Sequence, residues 1–153
     1  MPTTFGPNKN NPSYIDPFLS TNAPLGYKIT CNNFPQGSII CRNGGTTWIV
    51  APSSSEVTRS YNSGFTDAIT QANACTSLTS SIGSAWFIPT LSQLQNPGFV
   101  CKANWDSFTT VEYWSTSTVG GGCRRTVDFA TGSAGIRNVQ CVLRLRVFKT
   151  ITY

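Results

Sequence analysis

Few of the side chains that usually carry catalysis occur in this chain, and they are widely spaced. Histidine is absent, which removes the commonest general base and the commonest imidazole metal ligand. A glycosidase-type pair would require the fold to bring two distant carboxylates together, because the six acidic residues stand singly: Asp16, Glu56, Asp67, Asp106, Glu112 and Asp128. The triple glycine at residues 120–122 lacks the Lys-Ser/Thr of a phosphate-binding loop and indicates a turn. We therefore expect a protein that is not an enzyme and uses no cofactor.

The cysteines are the next residues with chemical potential. None belongs to a Cys-x-x-Cys pair, so we expect no zinc site among Cys31, Cys41, Cys75, Cys101, Cys123 and Cys141. Residues 1–7 lack the charged and apolar regions of an export signal, although disulfides usually accompany export. Reduced core thiols, a trimmed precursor, and release from the cytoplasm by lysis, as for a virus particle, all fit this combination.

Arginine and tryptophan dominate the energetics of many protein interfaces, and both occur around the triple glycine. The candidates for receptor or partner binding are Trp105, Trp114, Arg124 and Arg125. The alternative is that the tryptophans belong to the core and the arginines are solvated or paired with neighbouring subunits.

Charge and hydropathy exclude two classes of partner. The net charge is +5, but the 11 basic residues are scattered and form no run typical of a nucleic-acid-binding arm. No apolar run approaches the roughly 18 residues of a membrane span. We expect neither nucleic-acid binding nor membrane insertion.

A corner between Trp86 and Leu94 is the best-defined local structure. Thr90 and Gln93 have the spacing of a capping box, in which each side chain bonds the backbone amide of the other. Pro89 holds the chain extended before that cap. The stretch predicts a strand-like segment that turns into a short helix.

Periodicity predicts the other elements. Strands are expected at residues 27–31, 38–41, 46–50, 112–117 and 124–129, and an amphipathic helix at 65–78 with Cys75 on its buried stripe. In the last predicted strand, one face carries Cys141, Leu143, Leu145 and Val147, and the other carries Val142, Arg144 and Arg146. Antiparallel strands with one amphipathic helix and one short helix between them favour the α+β class.

Residues 1–27 have no helical or strand period and contain five prolines. We expect an extended N-terminal arm that docks on another subunit, followed by a domain over residues 28–153. The predicted anchors of the arm are Phe5, Tyr14 and Phe18. The alternative is that this segment packs back on its own domain.

The corner also resembles a known family. Trp86-Phe87-Ile88-Pro89-Thr90-Leu91-Ser92-Gln93-Leu94 is similar to the Trp-Arg-Leu-Pro-Thr-x-x-Glu-Leu signature of the Lcl C-terminal-like domain family. Three further blocks follow in the family's order, at residues 113–117, 127–132 and 139–144. Phe87 replaces an arginine of the signature and Gln93 replaces a glutamate, although glutamine also serves a capping box.

The resemblance implies a C-type-lectin-like fold, which occurs in bacterial surface proteins and bacteriophages. It also implies a disulfide between Cys75 and Cys141. Cys31 with Cys41 would then close the first two strands, which leaves Cys101 with Cys123; the alternative is six buried thiols. Asn104-Trp105-Asp106 departs from the order of calcium ligands in that class, so we expect no metal.

The function expected from these features is that of a structural component of a bacteriophage virion. A tail-fibre or baseplate position with a role in host attachment is the first choice, with other virion proteins, further copies of the chain and a host surface glycan or protein as partners. The alternatives are a capsid decoration or collar protein and an exported bacterial adhesin that binds glycans.

Overall fold

The computed structural model describes residues 17–76, 78 and 82–153, which form a mixed α+β fold of two mainly antiparallel sheets with few helices. This agrees with the predicted class. The first sheet has the order β1 (Lys28–Cys31), β2 (Phe34–Asn43), β3 (Thr46–Val50) and β9 (Phe148–Thr152). The second has the order β4 (Val57–Arg59), β8 (Leu143–Leu145), β5 (Glu112–Gly120), β6 (Cys123–Asp128) and β7 (Ala134–Asn138). The parallel contact of β5 with β8 is a single residue pair, Tyr113 with Arg144.

The described part of the chain has two α-helices near its middle, α1 (Tyr61–Cys75) and α2 (Leu91–Gln93). Single turns of π-helix or 3-10 helix occur at Phe18–Asn22, Ser53–Ser55, Leu94–Phe99 and Lys102–Asn104. Over residues 17–76, 78 and 82–153, no helix is long and apolar enough to cross a bilayer.

Helix α1 begins four residues before the predicted position. Its first turn is held by tertiary contacts that periodicity does not reveal, because Tyr61 packs edge-on against Trp114 and its amide donates to the carbonyl of Val139 at 2.9 Å. Gly64 permits the close approach of the helix to β8, since a Cβ there would lie 2.3 Å from Leu145 Cδ1. Cys75, predicted on the buried stripe, is only half-buried.

The capping box is confirmed. The Thr90 hydroxyl accepts the Gln93 amide at 3.3 Å, and the Gln93 side chain accepts the Thr90 amide at 2.9 Å. The corner is tied to β5, because the Thr116 amide donates to the Pro89 carbonyl at 2.9 Å. Trp86 is buried, and its indole N–H donates to Thr76.

The predicted last strand is wrong in one respect: the segment divides between the two sheets. β8 ends at Leu145 in the second sheet, and β9 begins at Phe148 in the first. Arg146 occupies the crossing and is 2% exposed, although alternation placed it on the polar face. The β7 strand was not among the predicted strands, and it pairs with β6 along its whole length.

The buried apolar residues form two clusters. One lies among the first sheet, α1 and the Trp86 corner. The other is aromatic, with Trp105 at its centre: the ring centroids of Phe129 and Phe148 lie 5.0 Å and 5.8 Å from that of Trp105. The first sheet contributes to both clusters through β2 and β3, so it joins them into one core.

The segment predicted as the end of the arm packs on its own domain. Leu19 and Ala23 are fully buried, and Phe18 packs edge-on against Tyr27 at 5.4 Å. The Arg42 guanidinium donates to the carbonyls of Leu19, Ser20 and Ala23. Burial lowers the pKa of this arginine.

Part of the predicted arm falls outside the structure. The anchors Phe5 and Tyr14 lie outside the described residues. The docking role of the arm stays a prediction for residues 1–16.

The three predicted disulfides are not formed. All six cysteines are half-buried free thiols, and the thiol of Cys41 hydrogen-bonds to that of Cys101 rather than approaching Cys31. Cys75 Sγ instead points to Gln71 Oε1 at 3.9 Å. Burial raises the pKa of Cys101 to about 11, and the neighbouring Cys41 thiol adds to that rise.

Two truncations separate the arm from the core. Deletion of residues 1–16 should leave a folded domain, whereas deletion of residues 1–25 should lower the free energy of unfolding by several kcal/mol. The longer deletion removes a buried leucine, which alone is worth about 2–5 kcal/mol, and strips the Arg42 guanidinium of three carbonyl acceptors. Urea unfolding followed by circular dichroism measures the stability of both variants. Equal stability would contradict the assignment of residues 17–25 to the core of the domain.

The thiols give a second prediction. Iodoacetamide in non-reducing denaturant should add six carbamidomethyl groups to the chain, as read by intact mass. In the folded protein, the alkylation rate of Cys101 should keep rising as the pH climbs towards about 11, because only the thiolate is nucleophilic. Cys101 in the denatured chain is the reference, and a mass deficit from any disulfide would refute the prediction.

Candidate ligand-binding groove

A buried network of charges holds the two sheets and the long loop after α2 together. Arg146 Nη1 donates to Glu56 Oε1 at 2.7 Å, and Nη2 donates to Asp106 Oδ1 at 2.5 Å and to the Ser107 carbonyl at 2.8 Å. Its Nε donates to the Ala51 carbonyl at 2.8 Å. The guanidinium carbon also lies 5.1 Å from the ring centroid of Trp105. The fold therefore brings two distant carboxylates together, but on one arginine and largely out of solvent.

Glu56 has two more donors. Arg144 Nη1 donates to its second oxygen at 2.7 Å, and the Tyr113 hydroxyl donates at 2.7 Å. Burial raises the pKa of Tyr113 to about 12. Both oxygens of Glu56 are therefore engaged, and the cluster holds these segments of the chain in position.

A cleft of about 430 Å³ opens where β5 and β8 diverge. Glu112 and Asp128 are opposite each other on β5 and β6 and both line it. Glu112 is engaged by Arg137, whose Nε and Nη2 donate at 3.0 Å and 2.8 Å, and by the Thr126 hydroxyl. The cleft thus combines carboxylates with Arg144, and its charged groups are largely satisfied by the protein.

A second depression lies between the start of α1 and the β5–β6 hairpin. It consists of two adjoining hollows of about 330 Å³ and 300 Å³, which share Asn62 and Arg124. We call them together the α1–hairpin groove; its other lining residues are Tyr61, Phe65, Thr118, Gly120, Gly122, Cys123 and Val139. These volumes are at the lower end of the range that is typical of small-molecule binding sites, roughly 300–1,000 Å³.

Arg124 is the charged residue of this groove. Its guanidinium carbon lies 4.4 Å from the ring centroid of Tyr61, and Nη1 donates to the Thr116 carbonyl at 2.9 Å. Tyr61 also contacts Phe65, whose ring is 38% exposed. Burial raises the pKa of Tyr61, and the positive charge of Arg124 offsets part of that rise.

The hairpin tip beside the groove has no side chains at three successive positions. Gly120, Gly121 and Gly122 all have positive φ, between 63° and 92°, which a residue with a Cβ rarely adopts. The triple glycine is therefore a turn, as its sequence indicated. It leaves the mouth of the larger hollow open.

The structure separates the four predicted binding residues. Trp105 and Trp114 are 4% and 1% exposed, so the prediction that they contact a receptor is wrong and the core alternative holds. Trp114 contributes to the groove only indirectly, because its buried ring packs edge-on against Tyr61, with 5.6 Å between the ring centroids. Arg124 lies in the groove, whereas Arg125, the next residue of the same strand, does not line it.

Sequence reasoning identified only Arg124 as a binding residue of the groove, and the residues it missed include three on α1: Tyr61, Asn62 and Phe65. Tyr61 and Phe65 are four apart, a spacing that places them on one face of a helix. The spacing indicates a shared face only if both residues lie in the helix. The predicted helix began at residue 65, so it did not include Tyr61.

No family model matches the chain, and no curated protein matches it. Among the described residues, no group of three or more Cys, Asp or Glu side chains is arranged to hold a metal ion. The function is therefore argued from the groove and the scaffold beneath it.

The buried network predicts an unequal pair of substitutions. Arg146→Met should lower the free energy of unfolding by about 3–5 kcal/mol, because it leaves the carboxylates of Glu56 and Asp106 without their buried counter-charge. Arg137→Met, which removes an arginine whose side chain is 48% exposed, should cost at most about 1 kcal/mol. Urea unfolding measures both, and similar losses would show that Arg146 is not central to the fold.

Proposed function

We propose that this chain is a non-enzymatic recognition domain of a bacteriophage virion with a C-type-lectin-like fold. In this proposal it belongs to a tail fibre or baseplate and takes part in host attachment through the α1–hairpin groove. Its partners would be other virion proteins, further copies of the chain and a glycan of the host surface.

The resemblance to Lcl C-terminal-like domains supports the fold. Three of the four blocks that carry it contribute core residues: Trp86, Trp114, Val127 and Phe129 are each at most 3% exposed. The antiparallel pairing of β3 with β9 brings an early and a late strand of the domain together, with both α-helices between them in sequence. A stiff core with this order of elements suits a scaffold that displays loops.

The observation that carries the attachment role is the composition of the groove. It combines an exposed aromatic ring at Phe65, an amide at Asn62, a hydroxyl at Thr118 and a guanidinium held by a ring and a carbonyl. Ligand sites typically pair apolar surface with a few placed polar groups. This combination suits a saccharide, which has both an apolar face of C–H groups and a rim of hydroxyls.

Bacterial surface fractions test the attachment role. The purified full-length chain should bind at least one of three immobilised materials: lipopolysaccharide, capsular polysaccharide, or peptidoglycan carrying wall teichoic acid. Biolayer interferometry measures the response. Phe65→Ala should weaken that binding about fivefold, as expected for loss of an aromatic contact of roughly 1 kcal/mol.

The matched control is Phe34→Ala, which removes the same ring at a residue that is 69% exposed, begins β2 and does not line the groove. It should leave binding unchanged. Failure of all three fractions to bind would refute the attachment role and favour the decoration or collar alternative. If Phe65→Ala and Phe34→Ala weaken binding equally, the contact with the surface fraction lies outside the groove.

A further inference from the structure

We propose that the α1–hairpin groove selects acidic saccharides, and that Arg124 binds the carboxylate of the ligand. The inference rests on the proposed attachment role and narrows it to a ligand class. It depends on the charge, the orientation and the surroundings of one guanidinium.

The charge of the groove is unbalanced. Arg124 lines both hollows, and among the described residues no aspartate or glutamate lines either of them. The β5–β8 cleft differs, because it combines Arg144 with two carboxylates. An anion that enters the groove therefore meets a positive charge without a competing negative one.

The guanidinium is oriented before a ligand arrives. The guanidinium carbon lies over the Tyr61 ring at 4.4 Å, and Nη1 is held by the Thr116 carbonyl at 2.9 Å, so two contacts fix the group in place. In the described part of the chain, that carbonyl is its hydrogen-bond acceptor, which leaves donors on Nε and Nη2 for a ligand. A planar fork of donors matches the two oxygens of a carboxylate, and a preorganised fork loses little entropy on binding.

The neighbours of Arg124 favour a sugar as the carrier of that carboxylate. The ring of Phe65 offers an apolar face, while Asn62 and Thr118 offer an amide and a hydroxyl to sugar hydroxyls. Because the two hollows adjoin through Asn62 and Arg124, two successive residues of an oligosaccharide could occupy them. A uronic acid beside a second sugar unit is the ligand that these features describe.

A pair of probes that differ only in charge tests the inference. Isothermal titration calorimetry compares trigalacturonate with its fully methyl-esterified form on the full-length chain. We expect the acid to bind at least tenfold more tightly, since a hydrogen-bonded charge contact is typically worth a factor of ten or more. The preference should shrink as the salt concentration rises, because salt screens an exposed ionic contact. Equal affinities, or no binding of either probe, would overturn the inference.

Two neighbouring arginines supply matched variants. Arg124→Gln should abolish the preference for the acid, and Arg125→Gln should retain it, although each removes one positive charge from β6. Circular dichroism checks that both variants fold. Arg124→Lys keeps the positive charge but lacks the planar fork of donors. Its preference for the acid should lie between those of the wild type and Arg124→Gln. A preference that survives Arg124→Gln would overturn the assignment of that residue.

The remaining outcomes separate this inference from the attachment role. N-acetyl-triglutamate amide carries three carboxylates on a peptide backbone, and binding as tight as that of trigalacturonate would overturn the saccharide class. If surface fractions bind in a Phe65-dependent manner while trigalacturonate does not, the attachment role stands and the acidic specificity fails. If both fail, the groove is not a saccharide site.

Discussion

The buried guanidinium of Arg146 is the constraint on which the rest of the molecule depends. A charge removed from water is tolerated only where its donors are met and its charge is balanced. Arg146 meets this condition by drawing together the end of β3, the turn before β4 and the long loop after α2, through Ala51, Glu56 and Asp106. The chain must therefore leave the second sheet at this residue, which is where it crosses to the first.

That crossing determines what the scaffold can present. Since β8 and β9 belong to different sheets, the segment from residue 143 to 152 ties the aromatic cluster around Trp105 to the first sheet. The β5–β6 hairpin is anchored on the same core by Tyr113 and Trp114, both fully or nearly fully buried. Its tip, with exposed glycines, is then free to stand beside the start of α1. The groove therefore results from the packing of the β5–β6 hairpin on the core.

Burial and exposure divide the aromatic residues into two roles. Trp105 and Trp114 have the residue type of an interface anchor, yet each fills one of the two buried clusters of the core. Phe65, an ordinary member of a predicted apolar stripe, remains 38% exposed, because the buried face of α1 runs through Gly64, Ala68 and Ala72 and leaves position 65 at its edge. Residue type alone therefore assigns these positions the wrong way round.

The sequence by itself determined the class of the fold, the capping box of Thr90 and Gln93, the glycine turn and the scarcity of catalytic side chains. These features depend on composition or on contacts within a few residues, so a short window contains all that is needed. Only the tertiary structure decided the burial of Arg146, the contact of Cys41 with Cys101 and the position of Arg124 over Tyr61. Each of those features brings together residues that are tens of positions apart in the sequence. The packing of the whole core determines which segments meet, and no short window of sequence contains that information.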